Sequence, residues 1–315
     1  VNNRTVLVEN QQRGQYRVVP VGNPGGNAAA IFFNYWQDDP YKMRLYNDLS
    51  FRIALSEAIN RQEINEVLYK GLGNPGNAFT GPGLPMYDQA NADRYAAYDP
   101  DRANHLLDSL GLSRRDGQGF RRRQDNGQRL SMVINLYSEG AVGPGELMEL
   151  IKKYWAEVGL ELGIRPMERT LWHAARQAYD FDLSSYQNVV DYPGRPAYAF
   201  APQWYFAHNQ YVYWGQKWAD WLMTGGKKGV PAPAGARRLY EILQEIPATR
   251  SAEERRALQR EAHRIDAENL WMIGTLNGPP QGSFFVARND FRNIPTSDAY
   301  FDMETCETSS WFFKR

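Results

Sequence analysis

"NDLSFRIALSEAINRQEINEVLYKGLG", residues 47–73, reads first as one amphipathic helix, because Phe51, Ala54, Leu55, Ala58 and Ile59 recur at helical spacing. A second start signal lies inside it. Asn60 and Glu63 stand at capping-box spacing ahead of Ile64, Val67 and Leu68, which predicts two helices with a break between them. The stretch runs into Gly71-Leu72-Gly73-Asn74-Pro75-Gly76, a literal G-x-G-x-x-G. A dinucleotide fingerprint follows a strand and opens a helix. Here it follows a helix, and Pro75 sits where the next helix should begin, so it is a stop and a turn.

Working outward, residues 16–20 and 29–34 predict strands separated by a Gly/Asn-rich turn. Downstream, Asp99 caps a helix with Pro100 at its first position, and Gly111 ends it. Residues 120–123 and the alternating Leu130, Met132, Ile134 and Leu136 flank Asp125-Asn126-Gly127, a hairpin signal. Helices at 145–158 and 170–178 then alternate with strands at 160–165 and 181–186. Helices at 236–246 and 251–268 precede strands at 271–276 and 283–288. Alternating helices and strands predict an α/β layer with helices on a mixed sheet.

Lys plus Arg equals Asp plus Glu, 36 each, so nothing steers the 315-residue chain toward nucleic acid. Arg121, Arg122 and Arg123 are expected to form a solvated strand edge. The one cysteine, Cys306, excludes an internal disulfide and a Cys-rich metal site. No run approaches the ~18 apolar residues of a membrane span. The four histidines never stand at H-x-x-x-H spacing, and His263, inside a charged helix, is expected to be exposed. No cofactor and no metal are expected. Asp180 and Asp182, flanking Phe181 on a strand, could serve as the acid and base of a glycosidase. The blander expectation is a strand end with two solvated carboxylates. The strongest compositional signal is aromatic: 12 of the 36 residues from Tyr186 to Trp221 are aromatic, against 13% for the whole chain.

The quoted stretch, extended back to "FFNYWQDDPYKMRLY", resembles the hallmark region of the family 5 extracellular solute-binding proteins of ABC importers. Phe33-Asn34, Asp48, Arg52, Ala54 and Ala58-Ile59-Asn60-Arg61 hold the family's places, with Phe51 where a first Arg is usual and Asn60 replacing the usual Asp cap. "YDPDRANHLLDSLGL", "YWAEVGLELGI", "YDFDLSSYQNVVDYPGRP" and "HRIDAENLWMIGTL" resemble later family segments in the same order. The resemblance covers roughly residues 15–300. It implies a periplasmic-binding-protein-like (type II) α/β lobe with a mixed sheet flanked by helices. Family members are much longer, so residues 31–276 are expected to be the C-terminal ligand-binding lobe. Residues 1–30 and 277–315 would be return segments of a first lobe, and Ile31–Asn34 and Met272–Leu276 the hinge strands.

The resemblance further implies a binding protein without catalytic residues. It would capture an oligopeptide, or alternatively an oligosaccharide, by hinge closure and deliver it to a membrane permease. It would be periplasmic or extracellular, with room for a lipid anchor ahead of residue 1. Asp191, in the family's Asp-Tyr element, would hold a peptide's amino terminus. The expected ligand-binding set is Asn34, Trp36, Tyr186, Asn188, Asp191, Tyr192, Trp204, Tyr213 and Trp214. Of these, Trp204 and Trp214 are assigned to the cleft from their place in loops of the aromatic stretch, independently of the resemblance. Trp218 and Trp221, three apart in a predicted helix, are expected in the core.

Overall fold

The computed structural model of the chain describes residues 4–20, 27–77, 87–137, 144–189, 207, 214–277, 284–293 and 312–313. Two short helices, α1 (Arg4–Glu9) and α2 (Gln11–Gly14), lead into β1 (Tyr16–Pro20); β2 (Asn27–Phe33) and α3 (Pro40–Asn47) follow. The stretch 47–73 is indeed two helices, α4 (Leu49–Glu57) and α5 (Arg61–Tyr69). Each of α3, α4 and α5 starts at a side-chain cap. Asp39 accepts from the Tyr41 amide at 2.9 Å, Asp48 from Ser50 at 2.8 Å, and Asn60 from Glu63 at 3.0 Å. Short β3 (Asn74–Pro75) and α6 (Gln89–Asp93) precede α7 (Pro100–Leu107), which Asp99 caps through the Arg102 amide at 2.8 Å.

The body continues with β4 (Ser131–Tyr137), α8 (Pro144–Glu157), β5 (Glu161–Met167), α9 (Arg169–Gln177) and β6 (Leu183–Val189). Helices α10 (Gln216–Met223), α11 (Ala234–Ala248) and α12 (Ala252–Asn269) lead to β7 (Met272–Gly274) and β8 (Leu276–Asn277). Last come β9 (Phe284–Arg288), β10 (Phe291–Arg292) and β11 (Phe312–Phe313). Seven strands form one sheet in the order β3-β8-β2-β6-β4-β5, with β7 also on β2. β4 runs parallel to β5 and β6, whereas β2 is antiparallel to β6, β7 and β8. The sheet is therefore mixed. Asn27 pairs with both Val189 and Asn277, so the start of β2 and the ends of β6 and β8 share one edge of the body.

One sheet face carries Ile31, Phe33, Ile134, Leu136 and Leu183, all buried. Phe33 meets Tyr46 with ring centroids 5.8 Å apart, and Trp155 donates its Nε1–H to the Leu55 carbonyl at 2.9 Å. The opposite face carries Phe32, Tyr137 and Tyr186, which pack against Trp172 of α9. β1 joins neither face. It pairs with β9 alone, Tyr16 opposite Arg288 through Pro20 opposite Phe284.

Three sequence expectations are corrected. The hairpin before β4 shrinks to isolated bridges between Arg115 and Arg121 and between Arg122 and Arg129, because β4 takes its ladders from β5 and β6. Arg121 is fully buried rather than solvated. It donates to the Val158 and Leu112 carbonyls, both at 2.7 Å, and to Asn104 Oδ1 at 2.6 Å, filling helix ends that lack internal partners. Arg123 forks between Asp39 and Asp125. His263 is buried, and desolvation pushes its pKa down to about 3.

One turn after His263, Asp266 is also buried, and its Oδ1 has no hydrogen-bond partner. Burial alone drives this carboxyl well above the usual range, so the native state holds its proton more tightly than the unfolded chain does. Stability from this group is fully present below the unfolded value and is lost as pH rises through the folded one. His263 works from the other side, because its lowered pKa removes stability as pH falls below the ordinary histidine value. Asp266→Asn has no proton to lose, so it should abolish this pH-dependent loss and keep its acid-range stability as pH rises. Urea unfolding across the pH range would show wild-type stability falling as pH rises above the ordinary aspartate range, and that fall missing in the variant.

Candidate functional site

The family-like motif residues build scaffold. Arg52 Nε and Nη2 donate to the Leu270 and Asn269 carbonyls at 3.0 and 2.9 Å, closing the carboxyl end of α12, and Nη1 reaches the Tyr46 carbonyl at 2.6 Å. Arg61 is 1% exposed. It donates to the Gly274 carbonyl at 2.8 Å, the Ser56 carbonyl at 2.8 Å, the Ala96 carbonyl at 3.1 Å and Asn77 Oδ1 at 2.8 Å. Burial lowers its pKa to about 9, so the guanidinium stays charged at neutral pH. Both arginines pin the α4–α5 pair to the strand β7 and the helix before it.

Ligands of open α/β sheets sit outside the carboxyl ends of the strands. At that end, Tyr137 of β4 and Tyr186 of β6 stack with centroids 5.3 Å apart and planes 18° from parallel. Both are half-buried, and Trp172 supports them from the side at 5.8 and 5.6 Å. His173 abuts Trp172 at 5.0 Å; desolvation, Arg176 and Arg169 together lower its pKa, which keeps it neutral near pH 7. Arg176 lies over the Trp172 ring at 5.6 Å. The result is a preformed flat aromatic surface, able to stack a sugar ring, a peptide side chain or an amide plane. Sequence reasoning named Tyr186 and missed Tyr137 and Trp172. Parity was the signal for Tyr137, which ends β4 on the face that Tyr186 shares, whereas Trp172 comes from helix α9.

The remaining candidates separate. Asn34 follows β2 at the opposite end of the sheet, where its Nδ2 donates to the Tyr179 and Phe181 carbonyls at 2.7 and 2.9 Å. Its amide is committed to holding two chain segments. Trp36 lies at that same end, edge-on to Tyr179 at 5.9 Å and Trp218 at 5.3 Å. It borders an open cavity of about 480 Å³ with Met43, Val230 and Pro233. Trp214, expected at the cleft from its place in a loop, is wholly buried and stacks on Trp271 at 4.6 Å. Trp218 is buried and Trp221 half-buried, as core. Asn188 lies in β6. Asp191, Tyr192, Trp204 and Tyr213 fall outside the described residues.

The glycosidase pair also separates. Asp182 precedes β6, pairs with Lys42 at 2.8 Å, accepts from Gln37, and accepts from the Val133 amide at 3.1 Å. Asp180 is exposed and contributes its backbone carbonyl to Asn135 at 3.3 Å. Both stand at the sheet end away from the tyrosine pair. No helix among the described residues is long and apolar enough to cross a membrane, and no group of three or more metal-ligating side chains occurs among them.

A family model for bacterial extracellular solute-binding proteins, family 5, matches residues 2–211. The periplasmic alpha-galactoside-binding protein of Rhizobium meliloti (strain 1021) is 24% identical over 272 residues, which are 83% of this chain and 37% of that protein. The oligopeptide-binding protein OppA of Lactococcus lactis subsp. lactis is 26% identical over 131 residues, 40% of this chain and 21% of the other. Among solved structures, an oligopeptide-binding protein OppA superposes with a TM-score of 0.80 at 32% identity, over 100% of this chain and 51% of its own. The periplasmic binding protein MelB from Agrobacterium fabrum C58, in complex with stachyose, gives 0.72 at 18% identity, over 91% and 42%. The last likeness carries the fold alone. The chain spans about half the length, or less, of these proteins.

Proposed function

The chain belongs to the bacterial extracellular solute-binding proteins, family 5, and on that premise we propose that it forms the C-terminal lobe of an ABC importer's solute receptor. Its role is to bind, not to transform: it captures an oligopeptide or an oligosaccharide by hinge closure and hands it to a membrane permease. The observation that carries this proposal is topological. β1 and β9, at opposite ends of the chain, pair with each other and stay off the seven-stranded sheet. Chain enters and leaves the body side by side, as a two-lobed hinge requires.

Residues 1–30 and 277–315 are then segments shared with a first lobe, and 31–276 are the ligand lobe, with β2 reaching back to Asn27. The exposed Val6, Val8, Val286, Phe312 and Phe313 lie on those outer segments, in keeping with an apolar face that another lobe covers. The receptor works in the periplasm or outside the cell, and a lipid anchor belongs to the same proposal. The tyrosine pair forms part of the binding wall, and Asp191, two residues past β6, is the candidate anchor for a cationic peptide terminus.

Mass spectrometry of solute co-purified with the full-length receptor distinguishes peptide from oligosaccharide. Calorimetric titration of the identified class should show Tyr186→Ala weakening affinity by about 1–2 kcal/mol, the scale of a lost stacking partner. An unchanged affinity removes the tyrosine pair from the site. Turnover of an aryl-glycoside, abolished by Asp182→Asn, would replace the binding proposal with an enzyme.

A further inference from the structure

The two places where chain crosses into the body are joined by side chains. Asn27 opens β2 and Asn277 closes β8, and they stand directly opposite each other. Asn27 Nδ2 donates to Asn277 Oδ1 at 2.9 Å and to the Gly76 carbonyl at 3.2 Å. Its Oδ1 accepts from the Thr275 amide at 2.8 Å. The Thr275 hydroxyl in turn accepts from the Ala29 amide at 3.3 Å. The backbone ladder between β2 and the β7–β8 strand is interrupted at Thr275, and these side chains bridge the gap. All of Asn27, Thr275 and Asn277 are completely buried.

The cluster extends into the scaffold. Asn77 Oδ1 accepts from the Gly274 amide at 3.2 Å and from Arg61 at 2.8 Å, linking the crossings to α5. Two glycines make room for it. A Cβ on Gly274 would come within 2.6 Å of Asn27 Nδ2, and one on Gly76 within 2.5 Å of Asn277 Nδ2. Asn277 Nδ2 is itself buried without a hydrogen-bond partner. A fully buried, partly unsatisfied polar cluster is a poor way to gain stability, since apolar side chains would pack there without that penalty. Its asset is direction: amides fix β7 and β8, only three and two residues long, against β2.

We infer that Asn27 and Asn277 clamp the two crossings into a single pivot, so that the β1–β9 ribbon swings against the body as one unit. The inference rests on the hinge-closure proposal. The two fail separately, because the pivot can be read without any solute, whereas failed capture appears only in titrations. Spin labels at Arg288→Cys on β9 and Glu149→Cys on α8, both exposed, report the ribbon's position against the body once Cys306 is replaced by serine. Pulsed dipolar spectroscopy should give one narrow distance distribution for the labelled parent. Asn27→Ala and Asn277→Ala should each widen it about twofold, as expected when a hinge loses its constraint.

Asn34→Ala serves as the control for general destabilisation, because Asn34 is a buried amide that ties the far end of β2 to the Tyr179 and Phe181 carbonyls, away from the crossings. It should lower the melting temperature and leave the width unchanged. If Asn277→Ala fails to fold by circular dichroism, Asn277→Ser, too short to span the gap to Asn27, takes its place. A parent distribution already as wide as the variants, folded variants with parental width, or equal widening by Asn34→Ala would each overturn the clamp.

Discussion

Arg61→Met should cost about 3–5 kcal/mol of folding free energy, the range seen when one partner is removed from a buried charged network. The variant keeps the apolar stem and loses every donor. The Gly274 and Ser56 carbonyls and Asn77 Oδ1 would then lie buried with fewer partners, and water cannot reach them. Unpaired buried acceptors cost about 1–3 kcal/mol each, so even partial relaxation leaves a large loss. Arg61→Lys should recover little, because one ammonium cannot span donors that a planar fork places around it. Arg122→Ala, at an exposed neighbour of the buried Arg121, should change stability by less than about 0.5 kcal/mol. Chemical denaturation of the three variants checks the ranking. A loss for Arg61→Met no larger than that for Arg122→Ala would show that the motif arginine does not hold α5 to β7.

The same arginine shows where sequence reading succeeds and where it stops. Capping residues announce themselves locally, so Asp99 and Asn60 located the starts of α7 and α5 from sequence. Apolar spacing likewise exposed Phe51, Ala54, Leu55, Ala58 and Ile59 as one buried face. It could not show that the polar face of α4 is buried too. Arg52, Ser56 and Glu57 are covered because α12, α7 and the strand β7 close over them, contacts more than two hundred residues distant in the case of Arg52. Arg121 and His263 misled for that reason: charge suggests solvent unless long-range partners are known.

Tyr186 was nominated from its place in the family-like segment, and strand parity was the local signal that could have added Tyr137. Tyr186 sits in β6 at the end of the sheet where strands finish, and its register places it beside Tyr137. Asn34 and Trp36 were nominated from their place in the family-like region. They lie past the far end of β2, because the strand runs away from the crossing that it makes at Asn27. Trp214 was assigned to the cleft from loop composition. Its ring instead completes a stack on Trp271, a residue whose proximity no local pattern reveals.

The 315-residue chain by itself should bind a peptide or an oligosaccharide several orders of magnitude more weakly than a two-lobed receptor of its family. The solved OppA structure that it superposes on is about twice its length, with this chain covering 51% of it. In the proposed receptor the solute lies between lobes, so the stacked Tyr137 and Tyr186 supply one wall only. Removing half of such a site does not halve the binding free energy. Association carries a fixed cost in lost translational and rotational freedom, of about 4–15 kcal/mol, which must be met before any contact shows as affinity. One wall open to water meets little of it, because stacking and charged hydrogen bonds gain most of their strength when solvent is excluded around them. Folding should survive, since the seven-stranded sheet and its helices enclose a continuous core from Ala28 to Leu276. The check pairs two measurements on one sample: a cooperative melt, and calorimetric titration against a peptide library and an α-galactoside series. A folded chain with no saturable heat below millimolar solute is expected. Micromolar or tighter binding by this chain would mean that the lobe carries a complete site, and the division of the site between two lobes would have to be abandoned.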